Sequence, residues 1–182
     1  MQLSHPSSSH IRRHLTREVA NTVACSIVGT RIDYCNSLLH GVSEKYLDKL
    51  QRVQNKLARV VMNDGLRDHH TVDILRELHW LPVRSRIIFK IATLCHRVLQ
   101  DSQSTYLAAK VDLYRPTRTL RSSYQDLLRE PASRTKTGAR RFSCSVPKVW
   151  NFIPHPIRTT ASQTAFRTQL KTFLFADAFV TI

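Results

Sequence analysis

Five cations, Lys45, Lys49, Arg52, Lys56 and Arg59, follow one another at intervals of three or four residues. On a helix that spacing sets them along one flank, a ridge about 21 Å long at a rise of about 1.5 Å per residue. Lys and Arg in such a row suit phosphate: they neutralise a polyanion backbone and donate N–H bonds to its oxygens without reading sequence. Glu44 and Asp48 are the acids close by. A second reading stays open, in which the ridge is a solvated face whose long stems cover the edge of the core.

Further cations fall in three places. Arg84 and Arg86 stand at the start of a helical pattern whose first position is Pro82, and Lys90 and Arg97 continue the flank that Arg86 begins. A helix start disfavours positive charge. Either an anion docks there, as phosphates do at helix N-termini, or the two arginines pair with Asp73 or Glu77. Arg115, Arg118 and Arg121 are interleaved with Thr117, Thr119, Ser122 and Ser123, offering charge and hydroxyl donors together. Arg134, Lys136, Arg140 and Arg141 flank Gly138. For both of these segments the other reading is a solvated loop.

Catalytic chemistry has no comparable constellation. There is no nucleophile elbow, no Gly-rich phosphate loop and no metal-binding spacing. His69, His70 and His79 cluster, but no cysteine or carboxylate completes a ligand set around them. Neither a metal nor a cofactor is expected. Trp80 and Trp150 have rings able to stack on bases, yet their apolar settings point to the core.

The totals agree with a binding surface. Of 182 residues, 28 are Lys or Arg and 13 Asp or Glu, a formal charge of +15. Such a surface attracts polyanions, nucleic acid first and an acidic membrane surface second. No apolar run approaches the roughly 20 residues of a membrane span, and the first residues lack the apolar stretch of a signal peptide. Cys25, Cys35, Cys95 and Cys144 are scattered without paired spacing, which points to reduced, buried thiols in an intracellular protein, nuclear or cytoplasmic.

The elements that must position these residues read as helices. The centre is 78–99, where Val83, Ile87, Ile91, Leu94 and Val98 fall on one side and Ile88, Cys95 and Leu99 widen the arc. An arc that wide demands more than one neighbour. Ahead of it, Ser43 caps a helix from Glu44 to about Met62, with Tyr46, Leu50, Val53, Leu57 and Val60/Val61 as the expected buried stripe and Asn63-Asp64-Gly65 as its stop. Leu15, Val19, Val23 and Ile27 predict an earlier helix interrupted at Gly29-Thr30. In the C-terminal third, segments near Asp126–Glu130 and Arg141–Val146 have strand-like patterns that would pair as a small β-hairpin. Ser162 caps a last helix with Phe166, Leu170 and Phe173/Leu174 on one face, ending near Phe175.

Read in order, particular stretches resemble a known family. They are Ile32-Asp33-Tyr34-Cys35-Asn36-Ser37-Leu38-Leu39; Leu50-Gln51-Arg52-Val53-Gln54-Asn55; Arg67-Asp68-His69; Leu78-His79-Trp80-Leu81-Pro82-Val83-Arg84; Pro116-Thr117-Arg118 with Leu120-Arg121-Ser122-Ser123; Trp150-Asn151 with Pro154; and Phe166 with Leu170-Lys171-Thr172. Together they resemble the C-terminal region, beyond the polymerase palm, of reverse transcriptases from LINE-type non-LTR retrotransposons of the Jockey-like group. The likeness covers about residues 15–175.

The resemblance implies a mainly α, helical thumb-like bundle that helps to hold template RNA and primer DNA while a separate palm does the chemistry. With the Ser- and His-rich residues 1–13 read as an unstructured tail, the chain divides into that tail, a helical thumb-like domain 14–112 and a C-terminal extension 113–182 packed on it. The family's palm binds two metal ions through an aromatic-Ala-Asp-Asp turn and an upstream Asp. No adjacent pair of acids occurs here, and Phe175-Ala176-Asp177-Ala178 is a chance likeness. The chain therefore reads as a fragment or shortened frame without polymerase activity of its own. Gln163 stands where the family commonly has Leu, and His70 where an apolar residue is usual, which would weaken packing at both. Arg141 occupies a position that is often small in the family.

Three functions are expected from these readings. The first is a non-catalytic module binding RNA and/or DNA backbone through the cations named above. The second is an inert remnant or protein-interaction module, and the third is a subdomain that needs a palm in trans. No membrane partner is expected.

Overall fold

A computed structural model describes residues 14–62, 70–101, 104–116 and 125–179. The expected tail 1–13, the helix stop at Asn63-Asp64-Gly65, His69, and the loop bearing Arg118 and Arg121 lie outside the described residues. The protein is mainly helical, and among the described residues there is no β-strand. No described helix is long and apolar enough to cross a membrane.

The first described helix is α1 (Arg17–Ala24), whose first turn is capped by the Thr16 hydroxyl accepting from the Val19 N–H at 3.4 Å. Gly29-Thr30 does not interrupt the helical course of the chain. The helix widens into a π turn (Cys25–Gly29) and continues as α2 (Thr30–Asp33). The expected inner stripe of α1 is also turned: Ala20 and Ala24 are buried while Val19, Val23 and Ile27 are exposed. Alanine on this side lets α1 lie close against Ala58 of α3 (Glu44–Met62), and Asn21 accepts from the Trp80 indole N–H at 3.0 Å.

The core is built on α5 (Val83–Asp101), as its periodicity predicts. Val83, Ile87, Ile91, Cys95 and Val98 are all buried. Against it pack α7 (Phe142–Phe152) and, most extensively, α9 (Gln163–Phe179). Val146 and Trp150 of α7, with Phe166, Leu170 and Leu174 of α9, complete this cluster. A second cluster joins α1 and α3 to α4 (Thr71–Glu77), Trp80 and Phe179. Because α9 enters both clusters, residues of 113–179 share a core with those of 14–112. Short helices α6 (Thr105–Ala108) and α8 (His155–Arg158) complete the set. Both tryptophans are buried, as their settings predict. Of the four cysteines, Cys95 and Cys144 are buried, whereas Cys25, on the outward side of the π turn, and Cys35, at the turn before Asn36, are exposed.

The face that α3 turns inward keeps part of the expected stripe, Val61 buried and Leu50 and Leu57 half-buried against the core, and is rotated away from the rest. Leu47, Gln54, Ala58 and Val61 are buried, whereas Tyr46, Val53 and Val60 are 58%, 45% and 47% exposed. Two amides cause the rotation. Gln51 Oε1 accepts from the Val83 N–H at 2.9 Å and so caps the first turn of α5 from a neighbouring helix. Gln54 Nε2 donates to the Leu81 carbonyl at 2.8 Å. A buried helix start must find such partners, and here they draw polar residues inward at the expense of apolar ones.

The β-hairpin is not formed. Arg141–Val146 enters α7 instead, and the pairing present is one antiparallel bridge between Leu113 and Leu128. Asn151 of α7 replaces the missing strand: its side chain accepts from the Leu128 N–H and donates to the Leu128 carbonyl, both at 2.9 Å.

Gln163 does not weaken the packing either. Its Oε1 lies 2.6 Å from Nδ1 of the fully buried His96, whose Nε2 lies 2.6 Å from the Thr160 carbonyl. The His96 ring stacks on Phe166 with centroids 4.0 Å apart. His70 is exposed, so no packing is lost there.

If the two glutamines set the rotation of α3, Gln54→Leu destabilises by about 1–3 kcal/mol, the usual cost of an orphaned buried polar group. Val53→Thr stays within about 0.5 kcal/mol, as at other surface positions. Urea unfolding of both variants checks this, and the reverse order would place Val53 inside.

Candidate nucleic-acid interface

The cations named from the sequence are divided by the fold into groups with different fates. Lys45, Lys49, Arg52, Lys56 and Arg59 do form one exposed flank of α3. Two of them have neighbours of their own: Arg59 donates to the Thr71 hydroxyl at 3.1 Å, and the Lys49 ammonium sits 5.5 Å from the Tyr46 ring centroid. Arg115, Arg134 and Lys136 are exposed, on the segments either side of the bridge.

Four others are engaged by the protein itself. Arg84 pairs with Glu44 and, at 3.7 Å, with Asp48. Arg86 pairs with Asp33 at 2.8 Å and donates to the Leu81 carbonyl at 2.9 Å. The anions at the start of α5 are thus carboxylates of this chain, and they are not Asp73 or Glu77: Glu77 binds Arg17. Arg140 donates to the carbonyls of His40 (3.3 Å) and Leu38 (3.1 Å), closing the 3-10 turn Asn36–Leu39. Its stem lies against Gly41, where φ is 71° and a Cβ would come within 2.9 Å of Arg140 Cγ. Burial, with Lys148 nearby, holds the His40 imidazole below its ordinary value. Arg141 donates to the Gly138 carbonyl at 3.1 Å.

Lys90 belongs to a different arrangement. Between α5, α9 and the segment around Trp80 runs a groove of about 540 Å³, within the roughly 300–1,000 Å³ of ligand clefts. Arg86, Lys90 and Arg97 enter it from α5, and Arg167 and Lys171 from α9. The helical repeat explains the convergence. The residues of α5 are four and seven apart on the flank beside its buried face, and those of α9 are four apart, beside Phe166 and Leu170. Packing the two apolar faces together brings the two basic flanks to one opening.

Phe89, with the edges of the buried Trp80 and Leu81, gives the lining its apolar part, and the Arg167 guanidinium lies 5.9 Å from the Phe89 ring centroid. Asp33 is the acid in the lining, and Arg86 already holds it. Among the described residues no carboxylate pairs with Lys90, Arg97, Arg167 or Lys171.

Arg97 stands out in the sequence as part of a flank. Arg167 and Lys171 do not, because the last helix announces itself by its aromatic core positions. Their signal is an i, i+4 pair of cations beside that core face. The described residues contain no group of three His, Cys, Asp or Glu able to hold a metal ion.

The division between engaged and free cations is measurable as stability. Arg140→Ala should cost about 1 kcal/mol through its two carbonyl bonds, whereas Arg134→Ala and Lys136→Ala stay within about 0.5 kcal/mol. Thermal or urea unfolding distinguishes them, and equal effects at all three positions would remove the division.

The chain matches no family model, no curated protein and no solved structure.

Proposed function

We propose that this protein binds the backbone of RNA or DNA, without sequence preference, in the groove between α5 and α9, and acts as a binding surface rather than as an enzyme. The observation that carries the reading is the groove itself: four cations, Lys90, Arg97, Arg167 and Lys171, share one opening that holds no uncommitted acid. An isolated surface lysine is well solvated and signifies little. Four that converge from two helices repel one another, by an amount that a polyanion relieves. The apolar part of the lining adds a surface for sugar or base beside the phosphates, as in grooves that hold single strands. The likeness to the post-palm region of non-LTR reverse transcriptases favours the same partner, with RNA template and DNA primer both acceptable.

Each phosphate contact releases counterions, so binding must weaken with salt. Four contacts to a single strand give a slope of about −3 in log affinity against log salt. Fluorescence anisotropy with labelled single-stranded RNA and DNA of mixed sequence measures it. Replacing Arg167 and Lys171 together by Gln should lower affinity and make the slope shallower by about 1.4. Absence of binding at low salt, or a double variant that binds as the unaltered protein does, would refute the proposal.

A further inference from the structure

The flank of α3 carries a pattern that phosphate contact does not use. Tyr46, Val53 and Val60 are about half exposed and stand seven residues apart, the repeat with which one helix lies along another. Lys49 and Lys56 lie three residues beyond the first two, on the same side, and Lys45, Arg52 and Arg59 border the row one residue before each member. From Tyr46 to Val60 the row extends about 21 Å, close to four helical turns. It is an apolar line edged by cations along a single side.

The acids of this helix do not balance it. Glu44 and Asp48 are directed to Arg84 of α5, and among the described residues no carboxylate pairs with the five cations of the flank. A second copy of the chain would oppose cations to cations, and is disfavoured. A nucleic acid would satisfy the cations, but beyond Tyr46 the row is aliphatic, and Val53 and Val60 offer no ring on which a base stacks. An apolar strip with acidic borders satisfies both.

We propose that the outer face of α3 is a docking surface for an acidic amphipathic helix of another protein. The partner helix lays leucine-like residues along Tyr46, Val53 and Val60, and its Glu or Asp side chains reach the flanking Lys and Arg. The row in α3 is accessible because Gln51 and Gln54, rather than the valines, are turned to the core. The inference does not depend on the groove between α5 and α9.

The test uses the full chain and a labelled helical peptide of about three heptads with Leu at the seam and Glu on either side. The comparison peptide has the same composition in an order that spreads Leu and Glu over all faces. The expected result is micromolar binding of the first and at least about tenfold weaker binding of the second, a difference of about 1.4 kcal/mol. Val53→Asp should weaken the first peptide by a similar factor while leaving the unfolding midpoint near that of the unaltered protein. Lys49→Glu with Lys56→Glu should lose the acidic peptide and gain its Lys-substituted counterpart, whereas Lys171→Glu should change neither. Equal binding of the two peptides would reduce the face to bulk charge and overturn the proposal. So would displacement of the peptide by single-stranded RNA, or stronger capture by vesicles of equal parts phosphatidylcholine and phosphatidylserine.

Discussion

Two glutamine amides fix the rest of this structure. The turn Leu81–Val83 carries the backbone into the central helix α5, and its buried polar groups need partners that water cannot supply. Gln51 and Gln54 of α3 provide them, one accepting from the Val83 N–H and the other donating to the Leu81 carbonyl. Side-chain partners at a helix start set both position and rotation, because each amide must arrive at a fixed distance and angle. α3 is thereby locked against α5 with a polar edge inside. The apolar residues displaced by that choice emerge on the surface beside the basic ridge.

A similar division governs charge. A formal +15 would be a general liability for a compact chain if every cation were left to repel the others. Several are instead used to close turns and helix ends. Arg84 and Arg86 hold carboxylates of neighbouring helices, Arg140 closes a 3-10 turn, and Arg76 reaches the Phe179 carbonyl near the end of α9. Among the others, two groups share a surface, and the two surfaces differ in character. The α5–α9 groove combines convergent cations with the ring of Phe89, and the α3 flank combines a row of cations with an apolar line.

Much of the core is legible in the residues themselves. The spacing of Val83, Ile87, Ile91 and Val98 places the central helix, and Phe166 with Leu170 places the last one, because burial on such faces obeys the helical repeat. The orientation of α3 is not legible. Gln51 and Gln54 read as surface residues until the turn they serve is brought beside them from about thirty positions away. The hairpin misleads for a related reason. The segment around Leu128 does have strand character, but its partner is the amide of Asn151, and no alternating pattern announces a side chain acting as a strand. Gln163 reads as a loss of packing because His96, its partner, lies on another helix. In the groove, the α5 half is visible as a flank of cations, and the α9 half is hidden behind a stronger aromatic signal. In each case an individual helix can be read, and a contact between helices cannot.

That the groove, and not the most conspicuous basic ridge, receives the polyanion is the claim on which the functional account stands. Acetylation of lysines in the native protein, followed by peptide mass spectrometry with and without single-stranded RNA, addresses it residue by residue. The account predicts that RNA protects Lys90 and Lys171 while Lys45, Lys49 and Lys56 react as they do in the free protein. Protection of the α3 lysines with Lys90 and Lys171 left reactive would contradict it.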